Sequence, residues 1–295
     1  MYDAALRARF IQLIQNASPP MTPRPPPALP PDLEALAHPP EPDKAARDIR
    51  AVLFDVYGTL FTSAAGDIGV FETAPAPEGG FANPERRAFF RAQVERLHRE
   101  ASAKTAYPEI RVEEVWKPYL DRLAGQGQAL PMTPWEFALR YELATNPVYP
   151  MPGAKAILQA LGRAGYALGI ISNAQFFTPL LFEALMGESA QAIGFDPTLC
   201  VYSYEALEAK PSPGLFDRAR KGLAALGIAP QETLYVGNDM LKDIAPARSM
   251  GFTTALFAGD GRSLRLREGN AQTQGMRPRR VIRRLEDLAG CFALP

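Results

Sequence analysis

The sequence predicts an α/β protein with one parallel sheet, and the first predicted strand shows why. Residues 51–54 are all apolar and Asp55 follows them at once, which is typical of a strand buried on both faces. Gly58 comes three residues later and allows a sharp turn. Further apolar runs alternate with helical patterns along the chain, so right-handed crossovers would place the strands in a single parallel sheet.

Four later apolar runs complete the predicted sheet. They span residues 166–171, 199–203, 233–237 and 254–257. Ligands of open α/β sheets bind just beyond the carboxyl ends of the strands, so polar residues at those ends are candidates for one site. The polar residues that follow the first four strands are Asp55, Ser172, Asn173, Lys210, Asn238, Asp239 and Asp243.

A helical insertion is predicted between the first two strands of the sheet, because residues 84–145 show three helical patterns. We therefore predict three regions. They are an N-terminal helix with a proline-rich linker at 1–47, an α/β core at 48–80 and 148–295, and the helical insertion at 81–147. The aromatic residues of the insertion are expected to form its own core.

Two features near the insertion could contact a substrate. Residues 61–83 contain several glycines and prolines and predict a loop or flap close to the site, with Asp67 as a turn residue. Arg86, Arg87 and Arg91 on the first inserted helix are candidates for gripping an anionic substrate. For each arginine, a solvated helix face is the commoner role.

The two ends of the chain carry unusual composition. Residues 2–16 predict an amphipathic helix that packs on the body of the protein. Residues 18–42 hold eleven prolines and predict an extended linker or surface wrap, without helix. Residues 262–284 hold eight arginines, and a solvated face is favoured over nucleic-acid binding because no aromatic residues are interleaved. A final helix at 281–288 is expected to cover an edge of the sheet.

Composition narrows the possible functions. The formal net charge is zero, which singles out neither nucleic acid nor an anionic membrane as a partner. Cys200 and Cys291 give no disulfide framework, so a reducing cytoplasm is the expected compartment. His38 and His98 lie away from every motif, which argues against a histidine-based triad. No apolar run reaches the roughly 18 residues of a membrane helix, and the N-terminus does not resemble a secretory signal.

Four short motifs together resemble those of the haloacid dehalogenase (HAD) superfamily. They are, in order, residues 54–60, residues 171–173, Lys210-Pro211, and the stretch from Val236 to Asp243. Each motif is weak alone, but four in this order make a specific signal over roughly residues 50–258. The resemblance implies a Rossmann-like, doubly wound, three-layer sheet. It also implies that the helical insertion is a cap.

The resemblance also implies a catalytic role for several residues. Asp55 would attack a phosphorus or carbon centre and form a covalent ester. The Ser172 hydroxyl and the Asn173 N–H would hold the oxygens of the transferring group, with Thr59 as a further phosphate-binding candidate. Lys210 would neutralise charge beside Asp55 and keep that carboxylate ionised.

Magnesium is the cofactor that the resemblance to phosphatases implies. Magnesium prefers hard oxygen ligands in an octahedral array. The candidate ligands are Asp55, Tyr57 through its carbonyl, Asn238, Asp239 and Asp243.

Two motifs differ from the phosphatase pattern, and they favour different reactions. Phosphatases of the superfamily carry a second Asp two positions after the nucleophile to protonate the leaving alkoxide, and Tyr57 occupies that position here. A phenol is a much weaker acid than a carboxylic acid, so Tyr57 favours release of a halide, which needs no proton. The last motif keeps Asp239 and Asp243, which favours a metal-holding phosphatase, although Asn238 replaces the first metal Asp.

The sequence therefore predicts a cytoplasmic HAD-like hydrolase that acts on a small molecule through Asp55. Magnesium-dependent hydrolysis of a phosphomonoester is favoured, because the last motif retains carboxylates. Dehalogenation of a 2-haloacid is the first alternative, and a catalytically weakened domain that binds a ligand or partner is the second. The sequence does not determine the substrate or the oligomeric state.

Overall fold

The computed structural model describes residues 3–38, 48–66 and 80–291 of the chain. Asp67 and most of the predicted flap lie outside the described residues. The strands are β1 (Ala51–Phe54), β2 (Phe61–Ser63), β3 (Val148–Pro150), β4 (Ala167–Ser172), β5 (Phe195–Tyr202), β6 (Thr233–Gly237), β7 (Thr253–Phe257) and β8 (Arg280–Ile282). The helices are α1 (Ala4–Ala17), α2 (Pro31–Ala37), α3 (Pro84–Ala101), α4 (Val112–Gly125), α5 (Pro134–Thr145), α6 (Ala154–Arg163), α7 (Thr178–Leu181), α8 (Ala190–Ile193), α9 (Ser203–Ala206), α10 (Pro213–Ala225), α11 (Ala245–Ser249) and α12 (Asp287–Cys291).

Six strands form one parallel sheet in the order β5-β4-β1-β6-β7-β8. Phe54 of β1 pairs with Ile170 on one side and with Val236 on the other. The residues that follow these three positions therefore leave the sheet at the same edge. The predicted α/β fold with a parallel sheet is confirmed.

Helices cover both faces of this sheet, as the two faces of β1 show. Val52 and Phe54 belong to a large apolar cluster that also holds residues of α1 and the inserted helices. Ala51 and Leu53 point to the opposite face and belong to a second cluster with residues of α10 and α11. Because successive strand residues alternate between faces, the continuous apolar run of β1 serves both layers. The core therefore has the predicted three layers.

The inserted helices α3, α4 and α5 lie in the chain between β2 and β3, which pair as a short antiparallel ribbon that the sequence did not predict. Asn83 and Thr133 start α3 and α5, since each side chain accepts a hydrogen bond from the backbone N–H three residues on. Trp116 is fully buried among aromatic rings of the insertion, as expected for a local core. The exact domain boundaries stay a prediction.

The N-terminal arm packs along the protein, and one prediction about it was wrong. Helix α1 forms as predicted and buries Phe10. The proline-rich stretch is not wholly extended, because Pro31 starts the short helix α2, where the missing N–H of proline costs nothing. Leu29 and Leu33 pack in one cluster with Val281 of β8. The stretch therefore behaves as a surface wrap.

The predicted final helix at 281–288 was also wrong. Val281 and Ile282 lie in β8, the edge strand beside β7, and the helix begins only at Asp287. Both residues are β-branched and buried, which favours a strand over a helix. Several arginines of the basic run form ion pairs, including Arg283 with Glu34 and Arg284 with Asp287. Within the described ranges, no helix is long and apolar enough to cross a bilayer.

Candidate active site

Seven of the nine predicted site residues line one small cavity at the carboxyl edge of the sheet. Three strand ends and the segment before α10 bring them together, as parallel strands require. The described residues that line this cavity are Asp55, Tyr57, Asn173, Lys210, Asn238, Asp239, Lys242, Asp243 and Arg265.

Lys210 stands at the centre of a buried charged network. Its Nζ donates to Asp55 Oδ1 at 2.7 Å and to Asp243 Oδ1 at 2.6 Å. It also lies 3.2 Å from both the Ile171 carbonyl and the Tyr235 hydroxyl. Burial works against the ammonium charge, but the carboxylates of Asp243 and Asp55 more than offset it and raise the pKa of Lys210. The lysine is therefore a fixed positive charge beside Asp55.

Asp243 anchors the last motif to this lysine. Its Oδ2 accepts the backbone N–H groups of Asn238 and Asp239, both at 3.0 Å. Burial raises the pKa of Asp243 to about 7, while the adjacent Lys210 works in the opposite direction. Gly237 makes this close approach possible, since a Cβ there would lie 2.5 Å from Asp243 Cγ.

Asp55 is held by one oxygen and offers the other. Only 6% of the residue is exposed, and Oδ1 carries the bond to Lys210. Among the described residues, no group donates a hydrogen bond to Oδ2. Gly58 turns the chain with φ of +80°, and a Cβ at that position would lie 2.4 Å from Ser263 Cβ. The turn therefore fixes Asp55 at the cavity with one oxygen available for chemistry.

Tyr57 lines the same cavity, but its phenol points to helix α7. The hydroxyl lies 2.8 Å from Thr178 Oγ1, and either oxygen could be the donor. Thr178 Oγ1 also accepts the backbone N–H of Gln175 at 3.1 Å. The phenol is therefore tied to the loop that follows β4.

Ser172 and Thr59 are the two predicted site residues that do not line the cavity. Both are fully buried. Ser172 Oγ donates to the Asn173 carbonyl at 3.1 Å, and Thr59 Oγ1 donates to Asn238 Oδ1 at 3.4 Å. Each hydroxyl therefore holds a neighbour that does line the cavity. Their direct contact with a ligand stays a prediction.

Asn173 positions Lys210 through its side chain. Its Oδ1 accepts the Lys210 backbone N–H at 2.7 Å, and its Nδ2 donates to the Lys210 carbonyl at 3.4 Å. One amide therefore binds both polar groups of the Lys210 backbone. This clamp connects the second motif with the third.

The candidate metal ligands have different partners. Asp239 accepts hydrogen bonds from Arg267 Nε on both oxygens, at 3.0 and 3.2 Å, and Arg267 acts against burial to lower the pKa of Asp239. Asp243 is committed to Lys210 and two backbone N–H groups. Asn238 donates Nδ2 to the Ser263 carbonyl at 2.6 Å, which leaves Oδ1 toward Thr59. No group of three or more His, Cys, Asp or Glu side chains among the described residues could hold a metal ion.

Sequence analysis missed four residues of the site. Tyr235 is fully buried, and its hydroxyl lies 3.0 Å from Asp243 Oδ1 and 2.9 Å from the Ile171 carbonyl. Within an apolar strand it looks like an ordinary core aromatic. Lys242 lies within the last motif, but nothing in the sequence marked it as a residue of the site. Arg265 and Arg267 belong to the basic run, and only the tertiary fold brings them to the last motif.

The fold and the site together indicate a class of protein. A carboxylate held by a buried lysine, at the carboxyl edge of a parallel sheet with a helical insertion after the first strand, is an arrangement typical of an α/β hydrolase. The chain belongs to the haloacid dehalogenase-like hydrolase family, whose model matches residues 49–251. The chain is therefore a hydrolase, and the resemblance inferred from the four motifs is confirmed.

Relatives of the chain include both phosphatases and dehalogenases. A phosphoglycolate phosphatase of Xylella fastidiosa is 32% identical over 207 residues, which cover 68% of this chain and 77% of the relative. An (S)-2-haloacid dehalogenase of Xanthobacter autotrophicus is 28% identical over 211 residues, covering 71% and 75% respectively. The structure of a 2-haloacid dehalogenase from Pseudomonas syringae pv. Tomato DC3000 matches with a TM-score of 0.54 at 19% identity, covering 83% of this chain and 98% of that chain. That last match shows a shared fold alone.

Proposed function

We propose that the protein hydrolyses small phosphomonoesters through a covalent intermediate on Asp55. One observation carries the proposal. Asp55 lines the cavity, its Oδ1 is fixed by Lys210, and its Oδ2 has no hydrogen-bond donor among the described residues. A carboxylate oxygen that is oriented but not neutralised is the form that a nucleophile needs. The similarity to a phosphoglycolate phosphatase supports phosphorus as the centre attacked.

The reaction balances in two steps. Asp55 Oδ2 attacks phosphorus, the bond from phosphorus to the leaving oxygen breaks, and the released alkoxide takes a proton from solvent water. A second water then attacks phosphorus and gives up a proton to solvent, the aspartyl bond breaks, and inorganic phosphate leaves with Asp55 regenerated. Lys210 offsets negative charge beside Asp55 throughout, and the Asn173 N–H would bind a phosphoryl oxygen. The hydroxyls of Ser172 and Thr59 would support Asn173 and Asn238.

A magnesium ion fits a smaller ligand set than the sequence predicts. We assign it to Asp55, Asn238 Oδ1 and the Tyr57 carbonyl, since both oxygens of Asp239 and both oxygens of Asp243 already accept hydrogen bonds, whereas Asp55 keeps one oxygen without a donor among the described residues and Asn238 Oδ1 accepts only the 3.4 Å bond from Thr59. Magnesium commonly takes one or two carboxylates and fills its shell with water and substrate phosphate. When bound, the ion would offset the charge of the transferring phosphoryl group.

Dehalogenation is the second candidate, and Tyr57 is the observation that favours it. Its phenol is bound to Thr178 and is a poor proton donor for an alkoxide. In that reaction Asp55 would attack carbon and displace halide, and water would then hydrolyse the ester. Lys210 can serve either reaction, because its charge does not depend on a metal.

A substrate panel with and without EDTA separates the candidates. A phosphatase releases phosphate from small phosphomonoesters with added magnesium and loses that activity with EDTA. A dehalogenase releases halide from 2-chloropropionate whether or not EDTA is present. If the protein releases neither phosphate nor halide, the result supports a domain that only binds a ligand or partner. In that case Asp55→Asn should leave binding intact.

A further inference from the structure

A second cavity lies beside the first, between the inserted helices and the α/β core. Its volume is about 240 Å³. Asn173 lines both cavities, so the second one adjoins Asp55 and Lys210. The described residues that line it are Phe90, Val94, His98, Pro108, Glu109, Ile110, Val112, Glu142, Asn173, Gln175 and Ala209. A leaving group attached to a phosphoryl at Asp55 would extend into this space.

Glu142 of α5 is a buried carboxyl group that is only half satisfied. The residue is 9% exposed. Its Oε1 accepts a hydrogen bond from Asn146 Nδ2 at 2.9 Å, while Oε2 has no donor among the described residues. Burial raises the pKa of Glu142 to about 7, because no described cation offsets the loss of water. A ligand that donates a hydrogen bond to Oε2 would offset part of the cost of burying this carboxyl group.

The other polar groups around this cavity already have partners or carry no charge. Glu109 accepts the Ile110 N–H at 2.9 Å and the Ser203 hydroxyl at 2.7 Å. Burial lowers the pKa of His98, which keeps its imidazole neutral. No lysine or arginine is among the described residues that line the cavity. The charge of the wall is therefore acidic, and Glu142 Oε2 is its available acceptor.

We infer that Glu142 determines substrate specificity by binding an ammonium group on the leaving-group side of the substrate. This inference depends on the proposed phosphatase function. An ammonium group would supply both the donor and the positive charge that Glu142 lacks. The remaining wall, with Phe90, Val94 and Val112, suits a short alkyl chain. At ~30 Å³ per water, the cavity has room for about eight water-sized groups, which is enough for a small leaving group.

The substrate class is therefore the phosphate ester of a small amino alcohol. A leaving group that ends in a carboxylate is disfavoured, because two glutamates line the cavity without a lysine or arginine among the described residues. The preference would separate this protein from its phosphoglycolate-cleaving relative, although both would share the chemistry at phosphorus. Specificity would then come from the inserted helices and catalysis from the sheet.

Phosphate release from three esters of similar size tests the inference. They are phosphoethanolamine, ethyl phosphate and phosphoglycolate, compared by kcat/KM with magnesium present. The wild-type protein should prefer phosphoethanolamine over ethyl phosphate, and phosphoglycolate should be poorest. Glu142→Gln should reduce the phosphoethanolamine to ethyl phosphate ratio by at least ~10-fold, the size of loss expected when one partner of a buried charge pair is neutralised.

Glu113→Gln is the matched control. Glu113 is a glutamate of the inserted helices whose Oε2 is buried without a partner among the described residues, but it does not line the cavity. The control should keep the wild-type ratio, and thermal unfolding should show that both variants fold. A ratio that Glu142→Gln leaves unchanged, or a wild-type preference for phosphoglycolate, overturns the inference while phosphatase activity stands. Failure to release phosphate from every ester overturns the proposed function itself.

Discussion

The two cavities differ in how their charges are satisfied. At the sheet edge, Lys210 and Asp243 are paired with each other and with backbone groups, so the arrangement is fixed before any ligand binds. Beside the inserted helices, Glu142 keeps one oxygen without a donor among the described residues. The charges at the sheet edge are therefore preorganised, whereas the buried glutamate of the insertion can still accept a hydrogen bond.

The largest effect is expected at Asp55, the carboxylate that Lys210 orients at the sheet edge. Asp55→Asn removes the nucleophile, and phosphate release should fall by at least ~10³-fold, as for loss of a residue that forms a covalent intermediate. The measurement is initial-rate phosphate release from a phosphomonoester. Asp121→Asn, a change at an exposed carboxylate on α4, should keep the wild-type rate. Activity retained in Asp55→Asn would remove the sheet edge as the catalytic centre.

Preorganisation at the sheet edge should also be visible in stability. Lys210→Met leaves Asp243 and Asp55 buried without their cation, so the free energy of unfolding should fall by about 3–5 kcal/mol. Urea denaturation measures it. The double variant Lys210→Met/Asp243→Asn should recover part of that loss, because it removes one uncompensated charge. If the loss of unfolding free energy in the double variant equals the sum of the losses in the two single variants, the two side chains do not interact.

At the cavity beside the insertion, the buried charge of Glu142 should instead lower the stability of the protein as pH rises. The folded state raises the pKa of Glu142 from 4.5 to about 7, so it binds the proton more tightly than the unfolded chain. The stabilisation that comes from this tighter proton binding is fully present below pH 4.5 and is lost as pH rises to about 7. Glu142→Gln does not titrate, so its stability relative to wild type should rise over that interval by on the order of 3 kcal/mol.

Thermal unfolding at pH 5 and pH 8 measures the difference. Glu95→Gln on α3 serves as the exposed control and should follow the wild-type curve. If the stability difference between Glu142→Gln and the wild type is the same at pH 5 and pH 8, the pKa of Glu142 is not raised in the folded protein.

The smallest effect concerns the metal. Asn238→Asp adds a second carboxylate beside Asp55, so the apparent magnesium affinity should rise by about tenfold. Magnesium titration of phosphate release measures it. Thr62→Val, a change at a buried hydroxyl that bonds to Asp260 and lies outside the cavity lining, should not alter the affinity. An unchanged affinity in Asn238→Asp would place the ion away from residue 238.

The sequence predicted the sheet and most of the site because both depend on local patterns. Apolar runs mark the strands, and the residues after them must meet at one edge, which is why Asp55, Lys210 and Asp243 were found together. Arg267 was missed because its pairing with Asp239 joins segments 28 residues apart through a loop without periodicity. The final helix was misplaced because the short edge strand β8 resembles one turn of an amphipathic helix.

Glu142 shows a further limit of sequence analysis. In the sequence it is one charged residue on an amphipathic helix, and such residues are usually solvated. Only the packing of α5 against its neighbours turns it into a buried wall of the cavity. The role proposed for Glu142 depends on burial, which the local sequence pattern did not indicate.

Trapping the proposed covalent intermediate on Asp55 is the decisive experiment. A phosphomonoester is mixed with the protein and magnesium, the reaction is acid-quenched within one turnover, and the peptides are analysed by mass spectrometry. One phosphoryl group should be added to the peptide that contains Asp55, and none in the Asp55→Asn variant. A phosphoryl group on another residue, or steady turnover with no modified peptide, would contradict the proposed intermediate.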